Sequence, residues 1–132
     1  MANKFNLTLV TPDGKKHQDE ADILNIKTTA GNIGILANHL PWVAILEISH
    51  LNYKKDGKIN EFSIGGGIIN FKNNSAQVLV ESFENKEEID LKRAEESKIR
   101  AEKRISSKDD NIDIKRAEIS LKRAINRIKL VK

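Results

Sequence analysis

The chain lacks cysteine altogether, since none occurs among its 132 residues. This absence excludes disulfides, thiol catalysis and cysteine-ligated metals. Histidine is nearly as scarce, and His17, His39 and His50 show no spacing typical of metal ligands. We therefore expect no metal site.

Long apolar runs are also missing. The longest mostly apolar stretch, residues 40–48, is far shorter than the roughly 20 residues that a membrane-spanning helix needs. No charged and then apolar leader precedes it, which argues against a secreted destination. Hydrophobic residues make up 39% and charged residues 32% of the chain, and this balance favours a soluble globular protein over a disordered one.

Arginine and aromatic residues divide the chain in two. Every arginine follows residue 85, whereas every aromatic residue precedes it. Residues 1–85 hold 8 lysines and 9 acidic residues, and residues 86–132 hold 15 basic and 10 acidic residues. The positive charge is therefore concentrated in the second part. We predict two domains, residues 1–84 and residues 85–132.

In the first domain, turn-forming residues separate short apolar segments, as is typical of an antiparallel β protein. Phe5, Leu7 and Leu9 alternate with polar residues and are followed by a Pro12-Asp13-Gly14 turn. Further strands and two hairpin turns are indicated: strands at residues 23–27, 43–48, 68–71 and 77–80, and turns at residues 55–58 and 73–75. This spacing predicts a sandwich or flattened barrel with its apolar side chains packed between two sheets.

The run Gly65-Gly66-Gly67 does not qualify as a phosphate-binding loop. A β-type segment follows it instead of a helix, and no Gly-Lys-Ser/Thr ending is present. A β-bulge or a close approach between strands is the better interpretation.

A glycine-containing segment at residues 31–42 carries apolar residues and the only tryptophan. Buried loops are rare and large apolar residues in a loop need a partner, so we expect a loop that faces another protein. A surface loop with a structural histidine is the alternative. The residues concerned are Gly31, Ile33, Ile35, Leu36, His39, Pro41 and Trp42.

The last third of the chain contains a repeat. Residues 89–105 (IDLKRAEESKIRAEKRI) and residues 112–128 (IDIKRAEISLKRAINRI) are identical at 11 of 17 aligned positions. Each copy has two Arg-Ala pairs seven residues apart, a spacing that returns them to one side of a helix. We predict two antiparallel helices joined by a polar link at residues 106–109, with N-terminal caps at Asn85 and Asp110.

The apolar stripe of these helices is rich in alanine and is interrupted by Lys98. At about 25 cal/mol per Å², alanine buries too little area to hold the hairpin firmly. We expect a hairpin that can fold back or swing out, and a static surface hairpin is the alternative.

Three positions of the repeat hold arginine, and not lysine, in both copies. They are 93, 100 and 104 in the first copy and 116, 123 and 127 in the second. Guanidinium groups favour phosphate and carboxylate partners. A triphosphate held between the helices and an acidic protein surface are both compatible with this arginine stripe. An ordinary solvated face with intrahelical ion pairs is the third interpretation.

The order of these features resembles the epsilon subunit of bacterial rotary F-type ATP synthases over nearly the full chain. The matching segments are Gly34-Ile35-Leu36 with His39 and Pro41, Gly66-Gly67 before a hydrophobic strand, residues 78–80, Ile89-Asp90-x-x-Arg93-Ala94, and Arg123-Ala124-x-x-Arg127. One departure is Ala37, where many members have proline. The resemblance implies an α+β fold, with an N-terminal ten-stranded antiparallel β-sandwich followed by a C-terminal antiparallel two-helix hairpin.

It also implies a non-catalytic rotor subunit of the central stalk, peripheral to the cytoplasmic face of the bacterial cell membrane. The sandwich would bind the gamma subunit and the c-ring, with the segment at residues 31–42 facing them. The hairpin would fold against the sandwich or extend along gamma into the catalytic head, where it inhibits ATP hydrolysis. Basic residues of the second helix would then meet the catalytic alpha and beta subunits: Lys115, Arg116, Lys122, Arg123, Arg127 and Lys129.

In some members ATP binds the folded hairpin and favours the non-inhibiting state, as a regulatory ligand and not as an obligatory cofactor. The corresponding residues here are Glu84, Ile89, Asp90, Arg93, Ala94, Arg123 and Arg127. The arginines would take the phosphates, and the acidic and apolar residues would lie towards ribose and adenine. We interpret the second Ile-Asp-x-x-Arg-Ala copy, at residues 112–117, not as a second site but as a result of repeat ancestry or as a requirement of helix packing.

Two other classes of function compete with this one. A basic hairpin, in a chain of pI about 9.3, is compatible with nucleic-acid binding. However, its 15 basic residues are mixed with 10 acidic ones, and it has no aromatic residue for stacking. An independent enzyme lacks support, because no Ser-His-Asp order, metal cluster or Walker motif is present. We expect no nucleic-acid partner, and membrane association only through the complex.

Overall fold

The computed structural model describes residues 3–107 and 109–132. The chain divides into two compact units, Met1–Asn85 and Lys86–Lys132. The first unit holds eight strands and the second two helices: β1 Phe5–Val10, β2 Lys16–Ala21, β3 Ile23–Thr28, β4 Gly31–Leu36, β5 Trp42–Lys55, β6 Lys58–Lys72, β7 Ser75–Val80, β8 Phe83–Glu84, α1 Leu91–Ser106 and α2 Ile114–Val131. The predicted sheet domain followed by a helical pair is confirmed.

The strands lie in the order β2-β1-β7-β6-β5-β3-β4, and β8 pairs with β6. Every strand named from the sequence is present, and so are the two hairpin turns. One pair departs from the expected antiparallel pattern, since β1 runs parallel to β7. A long connection allows this pairing, because the chain between these strands has ample length to cross over.

The sheet closes on itself to form the sandwich. Strands β2 and β5 are separated by three strands in the sheet order, yet they contact each other. The core enclosed in this way contains Phe5, Leu7 and Leu9, as their alternation predicted, together with side chains from β3 to β8. Phe5 packs edge-on against Phe71, with ring centroids 5.6 Å apart.

Eight strands are found among the described residues, whereas the resemblance implies ten. The difference lies in β5 and β6, which run for 14 and 15 residues without interruption. Each of them is much longer than a typical strand of five to six residues, and β6 pairs with β7 over its last residues and with β8 nearer its middle. A long strand of this kind takes the place of two shorter ones.

The glycines of β6 allow a close approach between strands, as the sequence predicts. A Cβ at Gly67 would overlap the carbonyl oxygen of Leu79 and lie 2.8 Å from the Cα of Val80. Gly66 has φ +90°, a region that side-chain-bearing residues rarely adopt. The phosphate-loop alternative is not needed to explain these residues.

The helix caps lie elsewhere than predicted. Asp90 caps α1 and Asp113 caps α2, whereas Asn85 precedes a turn and Asp110 lies within one. In each case the aspartate carboxylate accepts a hydrogen bond of 3.1 Å from the backbone N–H three residues later. The Ile-Asp-x-x-Arg-Ala segment is therefore a helix start in both copies, which explains why the repeat retains its aspartate.

The two helices pack as an antiparallel pair. Lys132 at the end of α2 lies 3.4 Å from the carboxylate of Glu95 in the second turn of α1. The interhelical link begins at Ser107 and reaches Asp113, so it is longer than predicted; part of the predicted link, Lys108, lies outside the described residues. The buried side chains of the helices are mostly alanine: Ala94, Ala101, Ala117, Ala124 and Leu130. This composition agrees with the expected weak seam.

Candidate partner surface and nucleotide site

The segment at residues 31–42 is not a single loop. Gly31–Leu36 forms strand β4, which pairs with β3, and Trp42 begins β5. Ile35 is fully buried and Ile33 packs against the core, whereas Leu36 is exposed. The alternation of a strand accounts for this division, because successive side chains point to opposite faces. The expectation of an exposed apolar loop is therefore wrong for Ile33 and Ile35.

The connection that remains, residues 37–41, is held at one end of the sandwich. Asn38 has φ 64°, and its backbone N–H donates a 2.7 Å hydrogen bond to the side chain of Asn74 in the β6–β7 turn. The His39 ring lies 5.9 Å from the Trp42 ring and 5.6 Å from the Phe71 ring. Leu40 remains 78% exposed. The loop thus presents an apolar side chain from a fixed backbone.

An exposed apolar surface that the sequence interpretation missed crosses three neighbouring strands. Ile45 is paired with Ile68, and Ile68 with Leu79. These three residues, named here the outer ladder, are 59%, 42% and 46% exposed. Val43 extends the ladder on the same face of β5, towards Leu40. Isolated apolar residues are common on surfaces, but a contiguous row indicates an interaction site.

A signal for the outer ladder was present in the sequence. Residues 78–80 read Val-Leu-Val, and Val78 and Val80 are buried in the core while Leu79 points outward. A strand with one solvated face alternates apolar and polar residues, whereas a continuous apolar run indicates that both faces are covered. The same continuous pattern occurs at residues 42–46 in β5.

An apolar cavity of about 370 Å³ adjoins the outer ladder at Leu79. Its remaining walls come from the end of β1 and its turn, the β6 glycines and the end of β7: Val10, Thr11, Pro12, Gly66, Gly67, Val80 and Glu81. The cavity is large enough to receive a single apolar side chain of a partner.

A hydrogen-bonded cluster joins β2 to β5. The hydroxyl of Tyr53 donates to Asp19 at 2.7 Å and lies 2.8 Å from Nε2 of His17, and Lys55 donates to Asp19 at 2.8 Å. Burial opposes ionisation of Asp19, but the hydrogen bonds from Lys55 and Tyr53 outweigh it and lower its pKa to about 2. Burial and the neighbouring Asp19 raise the pKa of Tyr53 well above its usual range. The hydrogen bonds of this cluster connect the two layers of the sandwich.

The predicted nucleotide residues are divided between the two units. Glu84 belongs to β8 of the first unit, and the others lie in the second. Within the helical unit, Asp90, Arg93 and Ala94 form the start of α1. Arg123 and Arg127 lie in the last three turns of α2. Because the helices are antiparallel, the start of α1 lies beside the C-terminal half of α2; Arg127 belongs to that half, and Arg123 lies near the middle of the helix.

The three arginines among the predicted nucleotide residues differ in exposure. Arg93 is exposed, while Arg123 and Arg127 are half-buried. The Nε atom of Arg123 is fully buried and lacks a hydrogen-bond partner within the described part of the chain. A buried donor without a partner costs about 1–3 kcal/mol, so an anion that reached this guanidinium would recover that energy.

The basic residues predicted to contact the catalytic subunits lie along α2. Lys115, Arg116, Lys122 and Lys129 are exposed, and the two half-buried arginines described above complete the set. Residues 3–107 and 109–132 contain no metal-binding group of three or more acidic, histidine or cysteine side chains. In the same residues, no helix is long and apolar enough to cross a membrane.

Two family models together match the chain from residue 4 to its end. The beta-sandwich domain of the ATP synthase delta/epsilon chain matches residues 4–86, and its long alpha-helix domain matches residues 87–132. This chain belongs to the ATP synthase delta/epsilon family. The resemblance that the sequence suggested is thereby confirmed, and with it the expectation of a rotor subunit of the ATP synthase.

Members of the delta/epsilon family with close sequences come from bacteria. The ATP synthase epsilon chain of Alkaliphilus oremlandii is 42% identical over 107 residues, which cover 81% of this chain and 80% of that relative. The epsilon chain of Caldicellulosiruptor bescii is 40% identical over 129 residues, covering 98% and 94%. In the cryo-EM structure of the Euglena gracilis mitochondrial ATP synthase, one chain matches with a TM-score of 0.76 at 24% identity, covering 90% of this chain and 76% of that one. This last likeness concerns the fold.

Proposed function

We propose that this subunit binds the gamma subunit and the c-ring through its sandwich and regulates ATP hydrolysis through its hairpin. The outer ladder and the neighbouring loop support the first part. Leu40, Val43 and Ile45 follow one another along a single exposed surface. An apolar surface of this kind is costly in water and becomes stable when a partner covers it. The site of action is the cytoplasmic face of the bacterial cell membrane.

The hairpin acts as a switch that ATP controls. The observation that supports this proposal is the antiparallel pairing, which places the start of α1, with Arg93, beside the half of α2 that carries the half-buried Arg123 and Arg127. Three guanidinium groups offset much of the negative charge of a triphosphate, and each can donate two hydrogen bonds to phosphate oxygens. ATP held there would bridge α1 and α2 and add to a seam that consists mainly of alanine. It would thus favour the folded, non-inhibiting hairpin.

Without ATP, the weak seam lets the hairpin extend into the catalytic head. The exposed basic side chains of α2 then face acidic surfaces of the catalytic alpha and beta subunits. In this state the subunit inhibits ATP hydrolysis. The function needs no active site of its own, since ATP serves as a ligand and leaves unchanged.

Calorimetric titration of ATP into the purified chain tests the switch. Arg93→Ala should weaken ATP binding at least about tenfold, because it removes a charge-assisted contact to phosphate. Lys92→Ala is the matched control, since it removes the same charge from the preceding exposed residue. Equal binding by the parent chain and the Arg93→Ala variant would refute the site. Absence of binding in all three proteins would leave the hairpin under the control of protein partners alone.

A further inference from the structure

The outer ladder continues onto a fourth strand. Leu79 of β7 is paired with Val10 of β1, just as Ile68 is paired with Leu79. Residues paired across neighbouring strands lie on the same face of a sheet, so the half-buried Val10 is the next member of the row. We name the row of Ile45, Ile68, Leu79 and Val10 the extended ladder. It crosses four strands and consists only of branched aliphatic side chains.

The extended ladder is a narrow stripe. The neighbouring row on the same face, two residues further along each strand, holds Asn70, Gln77 and Thr8, which are in register with one another. Only its β5 member, Val43, is apolar. The face of a partner sheet would need apolar residues in several adjacent rows. The polar row therefore disfavours a sheet as the partner and favours an element that contacts a single row.

The spacing of the extended ladder indicates which element that is. Neighbouring strands lie about 4.8 Å apart, so the row spans about 14 Å from its first strand to its last. Apolar residues three or four apart on a helix repeat about every 5.4 Å along the axis, whereas alternate residues of an extended segment repeat about every 6.7 Å. Over the length of the row, a helix laid across the strands falls out of step by about 2 Å and an extended segment by about 6 Å. The row therefore fits one face of a helix of about ten residues.

The apolar cavity beside the extended ladder can hold one residue of such a helix. Val10 and Leu79 belong both to the ladder and to the cavity wall. The volume of about 370 Å³ admits one large apolar side chain. Binding energy at interfaces is concentrated in large side chains that fill pockets of this kind. We expect this anchoring residue on the helix turn that lies over Val10 and Leu79.

Charged residues flank the same end of the extended ladder. Glu81 lines the cavity and is exposed, and its backbone N–H donates a 2.9 Å hydrogen bond to the carbonyl of Gly66, which fixes its position. The exposed Lys16 is paired with Val10 and ends the row on β2. Charges at the rim of an interface select the partner and set its register. Glu81 therefore calls for a basic residue beside the anchoring side chain.

We propose that the extended ladder and its cavity bind an amphipathic helix of the gamma subunit that lies across the strands. This helix places one large apolar side chain in the cavity and pairs a basic residue with Glu81. The proposal rests on the proposed function, which makes gamma a partner of the sandwich, and it adds the kind of element that gamma presents. The contact residues of gamma then recur every three or four positions within one segment.

Site-specific cross-linking to purified gamma subunit tests this geometry. Because the chain has no cysteine, a short photoreactive group can be attached at one chosen position in each of four variants: Ile45→Cys, Ile68→Cys, Leu79→Cys and Val10→Cys. Mass spectrometry then identifies the gamma residue that each variant labels. In this order, the labelled residues should follow one another at steps of three or four, within a segment of about ten residues. Steps of one or two residues would show an extended segment, and labels in unrelated segments would show no single element; either result overturns the proposal.

Ile59→Cys is the control for cross-linking, since Ile59 is a 61% exposed isoleucine near the other end of the strand that carries Ile68. If it labels the same gamma residues, the labelling is unspecific and the proposal is refuted. Gamma that binds without cross-links from any ladder position contacts another surface, which overturns this inference and leaves gamma binding itself standing. Failure of the parent chain to bind gamma overturns both.

A charge reversal tests the pairing at the rim of the cavity. Glu81→Lys should weaken gamma binding at least about threefold, because it places a cation opposite the basic residue of the helix. Glu61→Lys makes the same change at another exposed glutamate, which is paired with Asn52 and lies away from the extended ladder. It should leave the affinity unchanged. Equal affinities of the two variants would contradict the role of Glu81.

Discussion

The carboxylate of Asp90 accepts a 3.1 Å hydrogen bond from the backbone N–H of Arg93 and thereby caps helix α1. This contact gives Asp90 a structural task besides its expected place near a bound nucleotide. Replacement of an aspartate cap by alanine typically costs about 1 kcal/mol of helix stability. Asp90→Ala and Asp113→Ala should therefore lower the helical signal at 222 nm in circular dichroism by similar amounts. Only Asp90→Ala should also weaken ATP binding, and an equal loss of affinity in both variants would assign the effect to helix stability alone.

Lys98 is half-buried where the repeat has Leu121 in the second helix. Lys98→Leu should stabilise the hairpin by about 1 kcal/mol, because it adds apolar area to a seam of alanines. Hydrogen exchange at the buried Ala101 amide would report this as slower exchange. The control is Lys92→Leu at an exposed position. If the hairpin must open to inhibit, Lys98→Leu should also relieve inhibition in the assembled complex; unchanged inhibition would show that opening of this seam is not required.

Ile68 forms the centre of the outer ladder between Ile45 and Leu79. Ile68→Lys should reduce binding to purified gamma subunit at least tenfold, because a charge in the centre of an apolar contact must be desolvated. The fold should be kept, since surface substitutions usually change stability by less than about 0.5 kcal/mol. Ile59→Lys is the control, as Ile59 is 61% exposed and lies near the opposite end of the same strand. Binding that is lost equally in both variants would place the contact elsewhere.

Asp19 makes the stability of the sandwich dependent on acid pH. Its pKa is lowered from 3.8 to about 2, with burial opposing the shift and Lys55 and Tyr53 causing it. A carboxylate with a lowered folded-state pKa stabilises the fold above the unfolded-state pKa and loses that contribution as the pH falls from about 4 to about 2. The contribution should be about 1 kcal/mol, because the partly exposed pair is screened by solvent. Urea unfolding of the parent chain and Asp19→Asn should thus differ at pH 6 and converge near pH 2; a constant difference would contradict this origin.

Gly67 is needed for close packing of β6 against β7. Gly67→Ala should destabilise the sandwich by about 2–3 kcal/mol or prevent folding, because the new methyl group would overlap the Leu79 carbonyl. Gly14→Ala provides the comparison, since Gly14 also has a positive φ but nothing lies within 4 Å of an added Cβ. That variant should lose about 1 kcal/mol through backbone strain alone. Thermal unfolding of both proteins separates the two effects, and equal shifts in Tm would exclude the overlap as the cause.

Much of this fold follows from local patterns in the sequence. The alternation of Phe5, Leu7 and Leu9 and the Asp56-Gly57 turn depend only on near neighbours, and the structure contains them as predicted. The helical pair follows in the same way from the repeat. Strand β4 was missed because its two glycines are typical of loops, and its strand character comes from pairing with β3. The predicted cap of α1 was placed at Asn85 instead of Asp90, because the residues around Asn85 form an equally good local cap sequence.

The candidate surfaces depend on pairing that no local pattern contains. The outer ladder exists only because the register aligns Ile45, Ile68 and Leu79 from three separate segments. Likewise, Arg93 lies beside the half of α2 that carries Arg123 and Arg127 only because the link returns α2 along α1 in the antiparallel direction. The residue types of the proposed nucleotide site are recognisable from the sequence, but their placement on neighbouring segments of the two helices requires the tertiary fold.

Strands β5 and β6 have a mechanical consequence. Their ladder runs from the Trp42–Phe71 pair to the Lys55–Lys58 pair and crosses the whole sheet unit. Hydrogen bonds along such a ladder share a shearing load, so it yields less than separate short hairpins would. A rotor subunit carries torque and must do so without deforming. The long β5–β6 ribbon gives the sandwich stiffness against twisting, whereas the hairpin, whose buried side chains are mostly alanine, has no comparable ladder.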